Sequence, residues 1–210
     1  SRWNGLVGEI TLRVHPRVSI RSMEIHPAAD RCSVRACVRL VSIEHREATV
    51  PVRLQLLPES DEQPIADTVT ELSCPSGESL HEVTLRWNQP TQTWDEFRPI
   101  RYRLRAIWEL EDGSDEQIEM PFGFRHVERI GRQIHVNGQR VFLRGTLDCC
   151  VYPRTGHPPT RVAEWERILT TIKEYGFNHV RFHTWCPPDA AFEAADRLGV
   201  YLQPETPAWI

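Results

Sequence analysis

The second half of the chain alternates strand-like and helix-like segments, and no other feature restricts its fold as strongly. The segments follow one another as strand, helix, strand, helix and strand at residues 141–145, 162–176, 177–183, 189–199 and 200–205. In the first helical pattern the apolar residues fall on one face, at Val162, Trp165, Ile168, Leu169 and Ile172. Such an order requires a parallel sheet whose strands are joined by right-handed crossovers.

Turn-forming residues delimit these segments. The pair Asn137-Gly138 predicts a hairpin with a two-residue turn within residues 134–145. Gly176 and Gly199 follow the two helical patterns. Because glycine adopts the left-handed backbone conformation that closes many helices, both are predicted to end a helix.

The residues before about position 125 have a different texture, in which short alternating runs are separated by turn signals. In the run that begins at Cys32, the side chains of Val34, Ala36, Val38 and Leu40 alternate with polar or small neighbours, which predicts a strand with one buried face. No stretch in this half has a convincing helical period. Roughly seven short strands at this spacing indicate a β-sandwich of immunoglobulin-like type.

Charged residues fall where the predicted parallel strands end. Arg144 closes the first strand, Arg181 and His183 close the second, and Glu205 closes the third. In α/β sheets the carboxyl ends of parallel strands face the ligand crevice. We therefore expect these side chains to gather at one edge of the sheet, at the mouth of a pocket.

The composition excludes several classes of protein. The chain has 210 residues, of which 40% are apolar and 26% charged, as is usual for a globular protein, and no apolar run is long enough for a membrane span. A net charge of −4 with interspersed charges gives no basic footprint for nucleic acid. Glycine-rich phosphate loops and GxSxG motifs are absent, so no cofactor is predicted. No targeting segment is visible at the N-terminus, and the compartment stays open.

Four phrases of the sequence, taken in order, resemble glycoside hydrolase family 2, which includes β-galactosidases and β-glucuronidases. They are FGFR (122–125), VNGQRVFLRG (136–145), IKEYGFNHVR (172–181) and AADRLGVYLQPE (194–205). Each phrase alone is weak, whereas their order and spacing together are specific. Upstream, WNGLVG (3–8) is similar to the last strand region of the family's jelly-roll domain, and residues 94–110 are similar to the final strands of its immunoglobulin-like domain.

The resemblance implies a multidomain protein of β plus α/β class. Residues 1–15 would end a jelly-roll sugar-binding domain, residues 16–124 would form the immunoglobulin-like β-sandwich that braces the barrel, and residues 125–210 would supply the first three βα units of an incomplete (β/α)8 barrel. The family cleaves O-glycosidic bonds of oligosaccharides or glycans by a retaining mechanism, with two glutamates about 5 Å apart. In the family these glutamates lie on barrel strands 4 and 7. We therefore expect neither of them in this chain, and expect the chain alone to be inactive.

The sequence also departs from the family pattern around the expected sugar site. A polar run rich in Asn, Arg, His and Glu is replaced here by TLDCCVYPRTG (146–156). Many members place a histidine three residues after the arginine that matches Arg181, where this chain has Thr184 preceded by His183. Trp-Cys-Pro at 185–187 replaces the usual Tyr-Pro. The rim that would contact the sugar therefore differs, and the sugar and the linkage stay open.

Five residues are candidates for substrate binding in the intact enzyme, and three of them, Arg181, Trp185 and Asp148, also have a structural alternative. Arg181 matches the family arginine that lies beneath the sugar and orients the nucleophile carboxylate; the alternative is a structural ion pair. His183 could donate to a sugar hydroxyl. Trp185 could stack on the apolar face of the sugar, or it could pack against the second helix.

The remaining two candidates are carboxylates. Asp148 could accept hydrogen bonds from sugar hydroxyls, or it could cap backbone amides in its own loop. Glu205 matches the family glutamate at the end of strand 3, and we expect it beside or behind the substrate rather than as the catalytic acid. A metal site is an alternative chemistry for this region, but vicinal cysteines chelate zinc poorly and no CxxC spacing is present. That site would use Cys149, Cys150, Cys186 and His183.

Two other functions stay open at this point. The chain could be a non-catalytic module that binds carbohydrate or protein through its sandwich, or it could be a structural spacer. Under the glycosidase hypothesis the expected partner is a carbohydrate substrate. An incomplete barrel would also expose a sheet edge, so we expect either disorder in residues 145–210 or a homo-oligomer or another chain–chain contact that covers the edge.

Overall fold

The computed structural model describes residues 10–44, 47–110 and 112–206, which form two compact units. One unit contains residues 12–93 and 100–125, and we call it the sandwich. The other contains residues 94–99 and 126–206 together with 10–11, and we call it the α/β unit. The domain boundaries expected from the sequence stay predictions. Of residues 1–15, the expected end of a jelly-roll domain, the structure describes only residues 10–15, so WNGLVG lies outside the described residues.

The sandwich consists of two antiparallel sheets. Its strands are β1 (Val18–Pro27), β2 (Ser33–Ser42), β3 (Ala48–Pro58), β4 (Ala66–Cys74), β5 (Gly77–Arg86), β6 (Tyr102–Glu109) and β7 (Asp115–Phe122). The smaller sheet has the order β1-β2-β5 and the larger sheet the order β4-β3-β6-β7. Among the described residues this unit has seven strands and no helix, which confirms the strand texture and is consistent with an immunoglobulin-like sandwich.

Alternation of apolar and polar residues builds the core of the sandwich. In β6 the side chains of Tyr102, Leu104, Ala106 and Trp108 are buried. They meet buried leucines and valines of β2, β3 and β5 in one apolar cluster. Because successive side chains of a strand point to opposite faces, the residues between them lie on the outer face of the sheet.

That outer face carries an ion-pair network. Arg103 and Arg105 both pair with Glu62, at 2.7 and 2.6 Å, and both also pair with Glu119. The hydrogen bonds from Arg105 and Arg103 hold the pKa of the Glu62 carboxyl below its usual value. The network ties the loop between β3 and β4 to the outer face of β6.

The α/β unit begins with a small antiparallel sheet. Its strands are β8 (Val127–Ile130), β9 (Gln133–Val136) and β10 (Gln139–Arg140). The turn between β9 and β10 is Asn137-Gly138, with φ of +54° and +76°. Both residues occupy the left-handed region that a two-residue hairpin turn needs, so the predicted hairpin is confirmed.

A parallel sheet with two helices follows. Its elements are β11 (Gly145–Asp148), α1 (Val162–Glu174), β12 (His179–Phe182), α2 (Asp189–Leu198) and β13 (Tyr201–Pro204). β12 pairs in parallel with both β11 and β13, which confirms the predicted strand–helix alternation and the parallel sheet. Both helices end where a glycine was predicted to stop them, since Gly176 and Gly199 have φ of +82° and +70°.

The first strand of this sheet lies later in the sequence than predicted. The apolar run at 141–145 is not a strand except at its last residue, because the ladder with β12 begins at Gly145. Phe142 and Leu143 are exposed, so their apolar character does not report burial in a sheet. Gly145 lies against the imidazole of His179, and a Cβ at this position would collide with that ring.

One apolar cluster joins the sheet to both helices. Trp165 and Leu169 of α1 are buried against Val180 and Phe182 of β12. α2 contributes small side chains to this cluster, namely Ala190, Ala191, Ala194 and Ala195. Within the described part of the chain, neither helix is long and apolar enough to cross a membrane.

Candidate functional site

The carboxyl ends of the three parallel strands lie at one edge of the sheet, because Asp148, Phe182 and Pro204 are register partners across it. The five candidate residues are at the strand ends or directly after them. We call this group the rim; it consists of Asp148, Arg181, His183, Trp185 and Glu205. The prediction that the strand ends would bring Arg181, His183 and Glu205 to one edge therefore agrees with the backbone.

Arg144 was expected at the same edge, and this was wrong. Since β11 begins at Gly145, Arg144 precedes the strand and lies at its amino end. Its amide donates to the Asn178 side-chain oxygen at 2.7 Å, and its guanidinium Nε donates to the Gly176 carbonyl at 2.8 Å. Because the strand begins at Gly145 and not at residue 141, this arginine lies at the opposite end of the sheet.

The central contact of the rim is an ion pair. The guanidinium of Arg181 reaches Oε1 of Glu205 through both Nε and Nη2, each at 2.5 Å. The other carboxylate oxygen, Oε2, accepts the backbone N–H of Thr184 at 2.8 Å. The Thr184 amide and then the Arg181 guanidinium lower the pKa of Glu205, so the carboxylate is held in its ionised form.

A turn after β12 makes this arrangement possible. Thr184 has φ of +59°, a conformation that is uncommon for a residue with a branched side chain. The turn directs the Thr184 N–H at Glu205, while the Trp185 carbonyl accepts the Glu205 N–H at 3.3 Å. His183 lies close enough to Glu205 for its charge to contribute to the lowered pKa of that carboxyl.

Asp148 holds the loop that follows β11. Its Oδ1 accepts the Cys150 N–H at 2.7 Å, and its Oδ2 accepts the Tyr152 O–H at 2.7 Å. The pKa of the Tyr152 phenol is raised, mainly by burial and secondly by this hydrogen bond to Asp148. Both carboxylate oxygens thus have partners inside the protein, which is the geometry of the loop-capping alternative.

The Asp148 carbonyl connects this loop to the end of β12. It accepts the His183 N–H at 2.8 Å and the indole N–H of Trp185 at 3.1 Å. The Trp185 ring packs edge-on against Phe182 and Tyr152, with centroids 5.1 and 6.4 Å apart. The tryptophan therefore belongs to the apolar cluster of the unit, and its one polar atom fixes the rim backbone.

The three cysteines of the region are free thiols. Cys149 and Cys186 are exposed, whereas Cys150 is half-buried, and burial raises the pKa of its thiol. In the part of the chain that the structure describes, no three His, Cys, Asp or Glu side chains are grouped closely enough to hold a metal ion. The metal-site alternative therefore has no support there.

Sequence reasoning missed two residues that shape the rim. Tyr152 lies in a loop without regular structure, and only its contact with Asp148 identifies it. Thr184 acts through its backbone conformation, which no side-chain pattern reports. Neither residue has a signal in a single sequence that would have indicated its position.

Curated β-galactosidases are similar to this chain over nearly its whole length. The chain is 27% identical over 210 residues to a β-galactosidase of Vibrio vulnificus, which covers 95% of this chain and 20% of that protein. It is 24% identical over 210 residues to the β-galactosidase large subunit of Latilactobacillus sakei, covering 98% of this chain and 32% of that protein. No family model matches. The chain thus spans between about a fifth and a third of the length of these relatives.

Solved structures identify the fold. A glycosyl hydrolase family 2 member from Bacteroides cellulosilyticus superposes with a TM-score of 0.79 at 18% identity, over 90% of this chain and 25% of that one. The β-glucuronidase of Parabacteroides merdae gives a TM-score of 0.71 at 22% identity, over 91% of this chain and 24% of that one. The fold is one found in glycosyl hydrolase family 2. At these identities the superposition concerns the fold alone.

Proposed function

We propose that the chain is a section of a retaining glycoside hydrolase of family 2 type that acts on O-glycosidic bonds of oligosaccharides or glycans. The observation that carries this proposal is the Arg181–Glu205 pair at the carboxyl edge of a parallel sheet, in a chain similar to β-galactosidases over 95% of its length. Active sites of (β/α)8 enzymes lie at this edge of the strands. A fold shared with family 2 structures supports the same assignment.

In this proposal the three parallel strands are the first three of a (β/α)8 barrel. Residues 1–15, 16–124 and 125–210 would be the end of a jelly-roll domain, the immunoglobulin-like domain and the opening part of the barrel. The two catalytic glutamates would belong to later strands, so the chain alone would not hydrolyse glycosides. A homo-oligomer or another chain contact would cover the open edge of the sheet, and sedimentation of the purified chain measures this.

The contacts at the rim support different roles for its five residues. Arg181 is about half exposed and keeps a guanidinium face toward solvent, as a residue that orients a second carboxylate requires. Glu205 uses both oxygens to hold Arg181 and Thr184, which supports a positioning role. Asp148 and Trp185 have internal partners and would shape the rim, and His183 would remain a candidate donor to a sugar hydroxyl.

Activity measurements test the proposal directly. The 210-residue chain and the longest natural polypeptide that contains it are assayed on aryl β-galactosides and aryl β-glucuronides. We expect turnover only in the longer protein, with a loss of at least about 100-fold in Arg181→Ala, because a charge that orients a catalytic group is removed. Arg181→Lys serves as the control that retains the charge but not the bidentate geometry.

Two results would contradict the assignment. Turnover by the chain alone would show that a catalytic pair is present in it. An inactive longer protein whose sandwich binds sugars in a calorimetric titration, with Arg181→Ala leaving that binding unchanged, would instead favour the non-catalytic module.

A further inference from the structure

A six-residue segment, Trp94–Pro99, belongs to the α/β unit although sandwich strands precede and follow it in the chain. We call this segment the clasp. A backbone bridge between Trp94 and Pro99 closes it on itself, and Oδ1 of Asp95 accepts the N–H groups of Phe97 and Arg98 at 2.8 Å each. The clasp is therefore a compact loop whose shape is fixed by its own residues.

The indole of the clasp is buried inside the α/β unit. Trp94 is only 2% exposed, and its Nε1 donates to the carbonyl of Asp196 in α2 at 2.7 Å. Its ring contacts Tyr201, the first residue of β13, edge-on with centroids 5.8 Å apart. The side-chain amide of Asn137 donates to the Trp94 carbonyl at 3.0 Å. The hairpin, α2 and β13 thus all meet at this one residue.

Glu96 makes a second set of contacts, at the amino end of β12. Its Oε2 accepts the side-chain amide of Asn178, which is 3% exposed, and its Oε1 lies 3.6 Å from the Arg144 guanidinium. Its backbone carbonyl accepts the ammonium of Lys173 at 2.9 Å, and the same ammonium also donates to the Leu198 carbonyl. Lys173 of α1 therefore contacts both the end of α2 and the clasp.

Close packing against Gly199 completes the docking site. Gly199 ends α2 with φ of +70°, and a Cβ built there would lie 2.8 Å from the Glu96 carbonyl oxygen and 2.9 Å from the Glu96 Cα. Gly176 ends α1 with φ of +82°, and a Cβ there would meet no atom within 4 Å. The glycine at the end of α2 is therefore required twice, by its backbone conformation and by the clasp.

We propose that the clasp is an intramolecular docking segment, and that the α/β unit closes its core only around this piece of chain. The unit presents a recess that binds an indole followed two residues later by a carboxylate. Its walls are the carboxyl ends of α1 and α2 and the amino ends of β12 and β13. Its occupant is the loop that the chain supplies between β5 and β6.

Hydrogen exchange on the full 210-residue chain tests this directly. In Trp94→Ala, amides of α1, α2 and β13 should exchange on the order of 100-fold faster, while amides of β2 and β6 keep their rates, because loss of a buried indole opens only the unit that it fills. Phe97→Ala is the matched control, since Phe97 is in the same loop and 80% exposed. Its exchange rates should equal those of the unmodified chain.

Either of two patterns overturns the proposal: unchanged exchange in the α/β unit, or equal acceleration in both units. If Trp94→Ala does not fold, Glu96→Ala decides, because it leaves the indole in place and removes only the Asn178 and Arg144 contacts. Glu96→Ala should accelerate exchange in the same three elements by roughly tenfold. Acceleration of the β2 amides by the same factor would contradict the proposal.

The two helix-ending glycines give an independent test. Gly176→Ala and Gly199→Ala share the same backbone penalty, but only the second places a methyl group against the clasp. Gly199→Ala should therefore accelerate exchange in α2 by about tenfold more than Gly176→Ala. In the Trp94→Ala background the two should become equivalent. Equal effects in the unmodified background would exclude a docked clasp.

Discussion

The sandwich and the α/β unit bury their apolar surface in different ways. In the sandwich, two sheets with strands of 8–11 residues cover each other's inner faces. In the α/β unit the strands of the parallel sheet have four residues, and the helices pack on the side of Val180 and Phe182. On the opposite side Leu147 is 52% exposed and pairs in register with Arg181.

The two units therefore derive their stability from different sources. The sandwich is completed by strands that follow one another along the chain, with one segment looped out. Among the described residues, the α/β unit leaves Leu147 on an open sheet face and takes a buried tryptophan from a segment that precedes all of its own strands and is followed by two strands of the sandwich. A domain that is regular in sequence can therefore depend on residues that no local pattern assigns to it.

The largest expected effect concerns the core of the sandwich. Leu104 is fully buried, and Leu104→Ala should lower the free energy of unfolding by about 3 kcal/mol, since a buried leucine leaves a cavity when it is truncated. Chemical denaturation measures this loss. Leu80→Ala is the control, because Leu80 is in the same unit and 63% exposed, and it should change stability by less than about 0.5 kcal/mol.

The same variant tests whether the two units have separate cores. If the sandwich has its own core, hydrogen exchange in Leu104→Ala should accelerate in β2, β3 and β6 more than in α1 and α2. An equal acceleration in all of these elements would mean that both units unfold together, which would contradict separate cores.

A smaller effect is expected where α2 meets the sheet. Ala194 is fully buried, and Ala194→Leu should destabilise the chain by about 1–3 kcal/mol, because three added carbon atoms have no space between helix and sheet. Arg197→Leu places the same side chain on the outer side of α2, where the exposed Arg197 guanidinium pairs with Glu166 and Glu193. That control should cost less than about 1 kcal/mol. Thermal denaturation measures the stability of Ala194→Leu and Arg197→Leu. Similar losses of stability in the two variants would contradict a tightly packed alanine face on α2.

The smallest effect is a pH dependence at the rim. The folded-state pKa of Glu205 is lower than its unfolded value of about 4.3, so the ionised carboxylate stabilises the folded state above that pH. This contribution is lost as the pH falls through the folded-state pKa. We therefore expect the stability difference between the unmodified chain and Glu205→Gln to shrink from pH 6 to below about pH 4, in denaturation series at each pH.

Glu71→Gln serves as the control for this titration, because Glu71 is an exposed carboxylate of the sandwich. At pH 6 Glu71→Gln should lower the free energy of unfolding by less than Glu205→Gln does, because exposed surface substitutions change stability little. A difference for Glu205→Gln that grows on acidification would have the wrong sign and would exclude the Arg181–Glu205 pair as a stabilising contact.

Much of the fold follows from local patterns. The alternation in β2, the Asn137-Gly138 turn and the two helices were predicted from sequence, because burial on one face and turn geometry depend on neighbouring residues. The parallel order of β11, β12 and β13 followed from the alternation of strands and helices.

The site was predictable only in part. The expectation that charged residues lie at the carboxyl ends of the parallel strands located Arg181 and Glu205. It failed for Arg144, because β11 begins a few residues later than predicted and Arg144 lies at the other end of the sheet. The partners that occupy both oxygens of Asp148 and the left-handed backbone of Thr184 arise from tertiary contacts. The clasp was beyond sequence reasoning, since Trp94 and Asp196 are 102 residues apart.

The alanines on the inner face of α2 have an entropic consequence. An alanine side chain has no rotamers to lose when it is buried, whereas a leucine or methionine does. The four alanine positions of α2 therefore lose no rotamers when they are buried, although each methyl group removes little surface from water. Because a methyl group is short, the contacts at these positions require α2 to lie close to its neighbours in the cluster.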